Sequence, residues 1–180
     1  LVAYYPLDTA ANDISDNEFD GTLAGDLVFI EDTERGTVAF FDGIDDYIEL
    51  TTSGALDLTN SSFTVSAWVK GTSFEFNHSI LGTSVQVDNQ GLNLGFLGGK
   101  AHLDFYNNDL EGTQTIASEE WHFMTYSYDA DSQQMTIYVD GEQDAIATGK
   151  QAFSGFDVVR IGLTQTSNFF SGYIDDLRIW

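Results

Sequence analysis

Short runs of alternating apolar and polar residues, separated by turn formers and never by a long 3.6-residue period, constrain this 180-residue chain to an all-β fold. The pattern predicts strands over Val2–Tyr5, Thr37–Phe41, Tyr47–Leu50, Phe63–Val69, Ser79–Thr83 and Leu92–Phe96. It continues with Ala101–Phe105, Gln114–Ile116, His122–Asp129, Gln134–Val139, Val158–Ile161 and Gly172–Trp180. So many short strands argue for a sandwich of two antiparallel sheets. Asp140-Gly141 is a strong hairpin signal, because a type I′ turn needs positive φ at both central residues, and Asp42-Gly43 and Gly98-Gly99 serve similar ends. Helix should be minimal, one turn near Leu56–Leu58.

The alternation also assigns faces. Phe63, Val65, Ala67 and Val69 share one side of their strand, leaving Thr64, Ser66 and Trp68 on the other. Met135, Ile137 and Val139 go together, with Tyr138 opposite. Large side chains on both faces suit two curved sheets, one of them partly covered by loops. With 14 Phe, 8 Tyr and 3 Trp there is material for a sizeable core, and one domain over residues 1–180 is the simplest organisation.

Charge narrows the partners. The chain carries 29 Asp and Glu against 6 Lys and Arg, a net −23, which repels phosphate backbones and anionic membranes. Two readings of that acidity stay open: solubility in a salty medium, where screening weakens self-repulsion, or partial neutralisation by divalent cations. Without cysteine there is neither a disulfide framework nor a thiolate metal site. No run of apolar residues is long enough to span a membrane, and no basic segment followed by an apolar one opens the chain. Both ends fall at element boundaries, the expectation for a domain cut from a larger extracellular protein.

Carboxylate pairs flank two of the strands, in Phe41-Asp-Gly-Ile-Asp-Asp-Tyr-Ile-Glu49 and in Gly172-Tyr-Ile-Asp-Asp-Leu-Arg-Ile-Trp180. On a regular strand Asp175 and Asp176 point to opposite faces, and Arg178 shares the face of Asp176 and could pair with it.

These segments line up with others in one order along the chain. They are Tyr5-Pro-Leu-Asp8, Gly21-Thr-Leu23, Phe41-Asp-Gly43 with Asp46-Tyr-Ile48, and Phe63-Thr-Val-Ser-Ala-Trp-Val69. Glu120-Trp-His-Phe123, Ile137-Tyr-Val-Asp-Gly141, Arg160-Ile-Gly162 and Phe170–Trp180 follow. In this set the chain resembles the LamG-like jelly-roll domains of the concanavalin A-like lectin/glucanase superfamily, relatives of laminin G modules and pentraxins. The resemblance implies two antiparallel sheets, one concave, with the first and last strands adjacent. It also implies a structural calcium where those strands meet the first loop, using Asp8 and Asp175. The loop Asp13–Thr22 departs from the family's small, Asn-Gly-rich form at Asp16, Glu18, Phe19 and Asp20, which leaves the ligand set open.

Calcium takes six to eight oxygens and tolerates irregular geometry. Asp8, Asp13, Asp16, Asn17 and Asp20 crowd one short stretch, and Gly21 would let its backbone carbonyl approach. Asp42 is a further candidate. The competing reading at each position is a solvated turn whose side chains cap their own backbone. The spacing is not that of an EF-hand.

Catalytic signals are absent. No strand carries the two glutamates flanking an aspartate seen in concanavalin A-like glycosidases; Glu31-Asp-Thr-Glu34 comes nearest and reads as loop. His78, His102 and His122 show no metal-ligand spacing, and His122 reads as a packing residue. For ligand binding the candidates are Asn107-Asn-Asp109 after Tyr106, with the Asn168–Phe170 and Phe74–His78 segments behind them. The expectation is therefore a non-catalytic, calcium-stabilised module of a secreted bacterial adhesin-like protein, binding a glycan or another cell-surface ligand beside neighbouring domains of the same chain. A structural spacer, or an ancillary binding module of a polysaccharide-degrading enzyme, are the alternatives.

Overall fold

The alternating runs fold into two large antiparallel sheets and one small hairpin, with no helix. The computed structural model describes every residue from Leu1 to Trp180. In chain order the strands are β1 (Ala3–Tyr5), β2 (Thr22–Ala24), β3 (Val28–Asp32), β4 (Gly36–Asp42), β5 (Tyr47–Thr52) and β6 (Phe63–Gly71). Next come β7 (His78–Gly82), β8 (Asn93–Leu97), β9 (Lys100–Asp104), β10 (Asp109–Glu111), β11 (His122–Asp129) and β12 (Gln134–Val139). The last are β13 (Glu142–Ala147), β14 (Val158–Ile161), β15 (Leu163–Thr164), β16 (Asn168–Phe169) and β17 (Ser171–Ile179).

The first sheet runs β13-β12-β11-β6-β17-β4-β3, and β1 joins it by pairing with the far half of β17. The second runs β10-β9-β8-β7-β14-β5-β2. Thus β13 and β3 end one sheet, β10 and β2 the other. The β15–β16 hairpin lies against β7, where the Thr164 hydroxyl donates to the carbonyls of Thr83 and Leu92.

The face assignments hold. Phe63, Val65, Ala67 and Val69 are buried in the core with Met135, Ile137 and Val139, while Trp68 and Tyr138 lie on the outer face. Phe105 packs at the centre, its ring 5.9 Å from Phe63, 5.4 Å from Tyr128 and 5.6 Å from Phe153. Burying a ring of that size contributes about 2–3 kcal/mol. Buried Tyr126 of β11 ties the sheets together by donating to the Gly95 carbonyl of β8 at 2.7 Å.

Turn chemistry sets the register. Asp140 and Gly141, at φ 53° and 84°, close β12–β13, and Gly98-Gly99, at 60° and 78°, close β8–β9. Both are type I′ geometries. Three expectations shift. The strand placed at Gln114–Ile116 is absent, because Thr113 and Gln114 give their amides to the Asp144 carboxylate, and β10 pairs with β9 instead. Glu31 and Asp32 belong to β3, not to a loop. The region near Leu56–Leu58 is a turn, with the Leu56 amide on the Thr52 carbonyl, and no helix follows.

Gly95 permits the closest approach between β7 and β8. A Cβ there would overlap the His78 carbonyl oxygen and sit 2.8 Å from Ser79 Cα, both backbone groups that cannot step aside. Gly95→Ala should therefore destabilise the domain by about 1–3 kcal/mol in urea unfolding, as overpacking does; an unchanged midpoint would contradict this packing.

Candidate functional site

The outer face of the eight-stranded sheet is built by the polar half of the alternation. β6 and β11 pair so that Thr64 faces Ser127, Ser66 faces Thr125 and Trp68 faces Phe123. Short hydroxyl residues thus form a floor, and rings stand at its margins. The resulting trough is shallow and open to solvent, with two adjoining hollows of about 370 and 320 Å³ that share Thr64 and Trp180. Phe123 and Trp180 wall the first, beside Ser66 and Thr125. Ser62, Ser127 and Asp129 line the second. The Thr64 hydroxyl donates to Ser127 at 3.2 Å, whereas Ser66 Oγ is buried and has no partner. Asp129 is held below the usual carboxylate range by the Ser132 hydroxyl and by the Ser132 and Asp131 amides, so it stays ionised at the trough's end.

Beyond Trp68 the same face changes character. Arg35, in the turn between β3 and β4, stacks over Trp68 at 4.4 Å and donates to Asp175 at 2.6 Å and to Asp176 at 3.0 Å. Lys70 pairs with Asp32 at 2.6 Å and lies over the Trp121 and Tyr173 rings. Trp121 Nε1 donates to the same Asp32. Burial alone would raise the Asp32 carboxyl, but hydrogen bonds from Lys70, the Glu34 amide and Trp121 bring it down to about 2. Arg178 pairs with Asp176 at 3.0 Å, as its face position suggested. The strict alternation of Asp175 and Asp176 fails, however. β17 is irregular against β6 between Asp175 and Arg178, and Asp176 sits at φ 54° with its amide on the Pro6 carbonyl, so both carboxylates reach Arg35.

Of the six residues expected to hold calcium, Asp8 lies near enough to Asp175 for its charge to act on that carboxyl, whereas Asp42 lies apart. Asp175 is taken by Arg35. Asp8 is exposed beside a cavity of about 190 Å³ lined by Pro6, Leu7 and Asn12 among others. Asn17 donates to the Val2 carbonyl, and Asp20 accepts the Asp13 amide. Buried Asp13 accepts the Tyr4, Ser15 and Phe19 amides and so organises the loop through its own backbone. Gly21 is needed for packing, since a Cβ would press on Ile48, Ala11 and Leu50. Asp42 pairs opposite Ser171, four positions along β17 from Asp175, roughly 13 Å away. There it meets Asp45 and Asp46, with one oxygen from each within 4.8 Å of the others. Burial, then the charges of Asp42 and Asp45, push the Asp46 carboxyl up. In that turn Asp42 also accepts the Ile44 amide, and Asp46 accepts the Asp42 amide.

Tyr106 and Asn107, at φ 60° and 56°, form the turn between β9 and β10. Asn107 donates to Asp88, Asn108 donates to the Gln151 carbonyl, and Lys150 reaches the Asp109 carbonyl. No cavity opens at this turn. The adjoining outer face of the seven-stranded sheet carries a polar row of which the sequence reading singled out Asp109 alone: Asn93 of β8 faces Asp104 of β9, which faces Asp109 of β10. His102 lies two residues from Asp104, its Nε2 3.6 Å from Asp109. Asn93 Oδ1, His102 Nδ1 and Asp104 Oδ1 are buried without partners. The signal was present, since these positions alternate with core residues Leu94, Ala101 and Leu103. Phe74 and Phe170 of the remaining candidate segments are core residues, and Phe169 is half-buried against Tyr47. His122 is pinned between Asp140 and the Ala117 carbonyl.

A profile described as the concanavalin A-like lectin/glucanases superfamily matches residues 42–180. The chain belongs to this superfamily. No curated protein matches it. Among solved structures it is similar to domain 4 of AbnA, a GH43 extracellular arabinanase from Geobacillus stearothermophilus, in complex with arabinotriose. The identity is 21%, the TM-score 0.81, and the match covers 99% of this chain and 91% of that one. It is also similar to the binding domain of botulinum neurotoxin DC in complex with rat synaptotagmin II, at 15% identity, TM-score 0.76, 99% of this chain and 48% of that one. The binding domain of Paraclostridial Mosquitocidal Protein 1 matches at 14% identity and TM-score 0.72, over 94% of this chain and 45% of that one. This chain spans about half of each toxin binding domain. At these identities the likeness is one of fold, a jelly-roll sandwich shared across the superfamily.

Asp175 gives the site a pH signature. Burial, reinforced by the nearby charges of Asp176 and Asp8, outweighs Arg35 and raises its carboxyl from an ordinary 3.8 to about 6. Between those values the folded chain holds a proton that the unfolded chain releases. The stabilising contribution is therefore complete below 3.8 and lost as pH rises through 6. Asp175→Asn should remove this downward slope in stability, measured by urea unfolding across that window. An unaltered slope would show that Asp175 does not titrate there.

Proposed function

We propose that the domain is a non-catalytic glycan-binding module that holds sugar in the trough along β6 and β11. The observation that carries this reading is the trough itself: a floor of Thr64, Ser66, Thr125 and Ser127 hydroxyls between the rings of Phe123 and Trp180. Sugars present an apolar face to rings and hydroxyls to polar floors, and ligand sites commonly pair apolar walls with a few placed polar groups. Membership of a superfamily of lectins and glucanases, and the fold shared with an arabinanase domain bound to arabinotriose, support the same reading. A glycosidase would need a carboxyl pair across the sugar, whereas the trough contains Asp129 alone.

The full-length likeness to an arabinanase domain favours an ancillary module of a polysaccharide-degrading enzyme as a second reading. A secreted bacterial adhesin-like protein remains the first, supported by the acidity and the lack of cysteine. Flanking sequence separates them, since a catalytic neighbour indicates the enzyme and tandem acidic repeats the adhesin. Calcium stabilisation belongs to this proposal as well. Of the expected ligands, Asp42 has the donor set that suits a hard cation, three carboxylate oxygens close enough to share one ion.

Trp180 is 44% exposed, so its side chain can be removed with little cost to the core. Trp180→Ala and Phe123→Ala should each weaken glycan binding at least tenfold in titration calorimetry, about 1.4 kcal/mol, with the unfolding midpoint nearly kept for Trp180→Ala. Equal affinity in both variants would remove the trough from the function. Calcium should raise the thermal midpoint relative to chelator, because ligation of the native state alone stabilises it. A shift lost in Asp42→Ala but kept in Asp8→Ala would locate the ion in the β4–β5 turn; no shift in the parent would end the calcium reading.

A further inference from the structure

We infer that the trough takes a run of several sugar units from a neutral polysaccharide, and that acidic glycans are excluded from it. This rests on the glycan-binding reading and adds the class of ligand. Its length comes from the strands. The lining extends along β11 from Phe123 to Asp129, six residue steps or about 20 Å, more than a single sugar ring occupies. The two cavities adjoin at Thr64 and Trp180 rather than forming separate pits, so the occupant is extended and lies along β6 and β11.

The exclusion comes from where the cations are. A carboxylated or sulfated sugar is recognised through Arg or Lys. No Arg or Lys lines either cavity. The chain has six such residues, and each is already engaged. Arg35 is held by Asp175 and Asp176, Lys70 by Asp32, and Lys100 by Glu111. Arg160 is held by Glu49, Arg178 by Asp176, and Lys150 by the Asp109 carbonyl. Arg178, opposite Ser66 and so nearest to the floor, is also stacked on Tyr4 at 4.2 Å. The single charged side chain in the trough is the Asp129 carboxylate, inside a field of net −23. That charge acts over roughly 8 Å at physiological ionic strength, which spans much of the second cavity. A neutral sugar meets hydroxyls and rings, whereas an anionic one meets an uncompensated like charge.

The test is calorimetric binding of arabino-, xylo- and malto-oligosaccharides of one to six units, against size-matched oligogalacturonides, at low and high salt. At least one neutral series should bind, with affinity rising at least tenfold from mono- to tetrasaccharide. Oligogalacturonides should bind at least tenfold more weakly at low salt. That gap should narrow at high salt and in Asp129→Asn. Oligogalacturonides binding as tightly as the neutral series at low salt, or an affinity flat from the monosaccharide upward, would overturn the inference while leaving glycan binding in place. If no series binds the parent and Trp180→Ala behaves identically, the glycan-binding reading falls and this inference with it.

Discussion

Main-chain pairing of β17 is the constraint on which the rest of the structure depends. Its nine residues serve three partners: β6 along one edge, and β4 then β1 along the other. A strand bonded on both edges has no freedom to slip, because a one-residue shift would send Ile174, Leu177 and Ile179 out of the core. The irregularity at Asp175–Asp176 is the place where this strand leaves its β4 partner and takes up β1. It aims two carboxylates at one arginine, and that arginine in turn roofs Trp68. The geometry of the outer face therefore follows from how the last strand is shared.

The same face is divided by charge. On one side of Trp68 every cation is matched with a carboxylate or a ring; on the other the surface is hydroxyl and aromatic. With so few cations against so many acids, positive charge is spent on architecture: Arg35 fastens the β3–β4 turn to β17, and Lys70 fastens β6 to β3. The β6–β11 face is left with no charged side chain but Asp129.

Much of the architecture was legible because alternation is a direct projection of burial. The β6 residues divided correctly between core and trough, and the Asp140-Gly141 and Gly98-Gly99 turns fixed their hairpins. Edge strands were harder. β13, Glu-Gln-Asp-Ala-Ile-Ala, has poor strand propensity and owes its pairing to the turn that precedes it. β3 begins with a continuous apolar run, and β10 replaced its expected neighbour because one side chain, Asp144, captured two amides. The trough residues were assigned a face but not a role, since only cross-strand register sets Ser66 beside Thr125 and Trp180 beside Thr64. The acidic loop is legible in composition but not in its contacts. Asp13 and Asp20 have the composition of ion ligands, and the structure adds that they also accept nearby amides, which spacing cannot reveal. Tyr106 and Asn107 lie in a tight turn, Asp109 opens β10, and the unmatched polar atoms lie on the neighbouring strands.

The terminal strands of the two sheets leave backbone donors and acceptors along their outer edges, and three of those four strands carry exposed acids: Glu31 on β3, Glu142 on β13, Asp109 and Glu111 on β10. An unpaired edge is a template on which another copy can build. Here two copies meeting edge to edge would bring like charges together, so the acidity works as a barrier to self-association that operates without any contact. Such a barrier is only as durable as its ionisation: acid strong enough to protonate these exposed carboxylates would remove it and leave the rims free to pair.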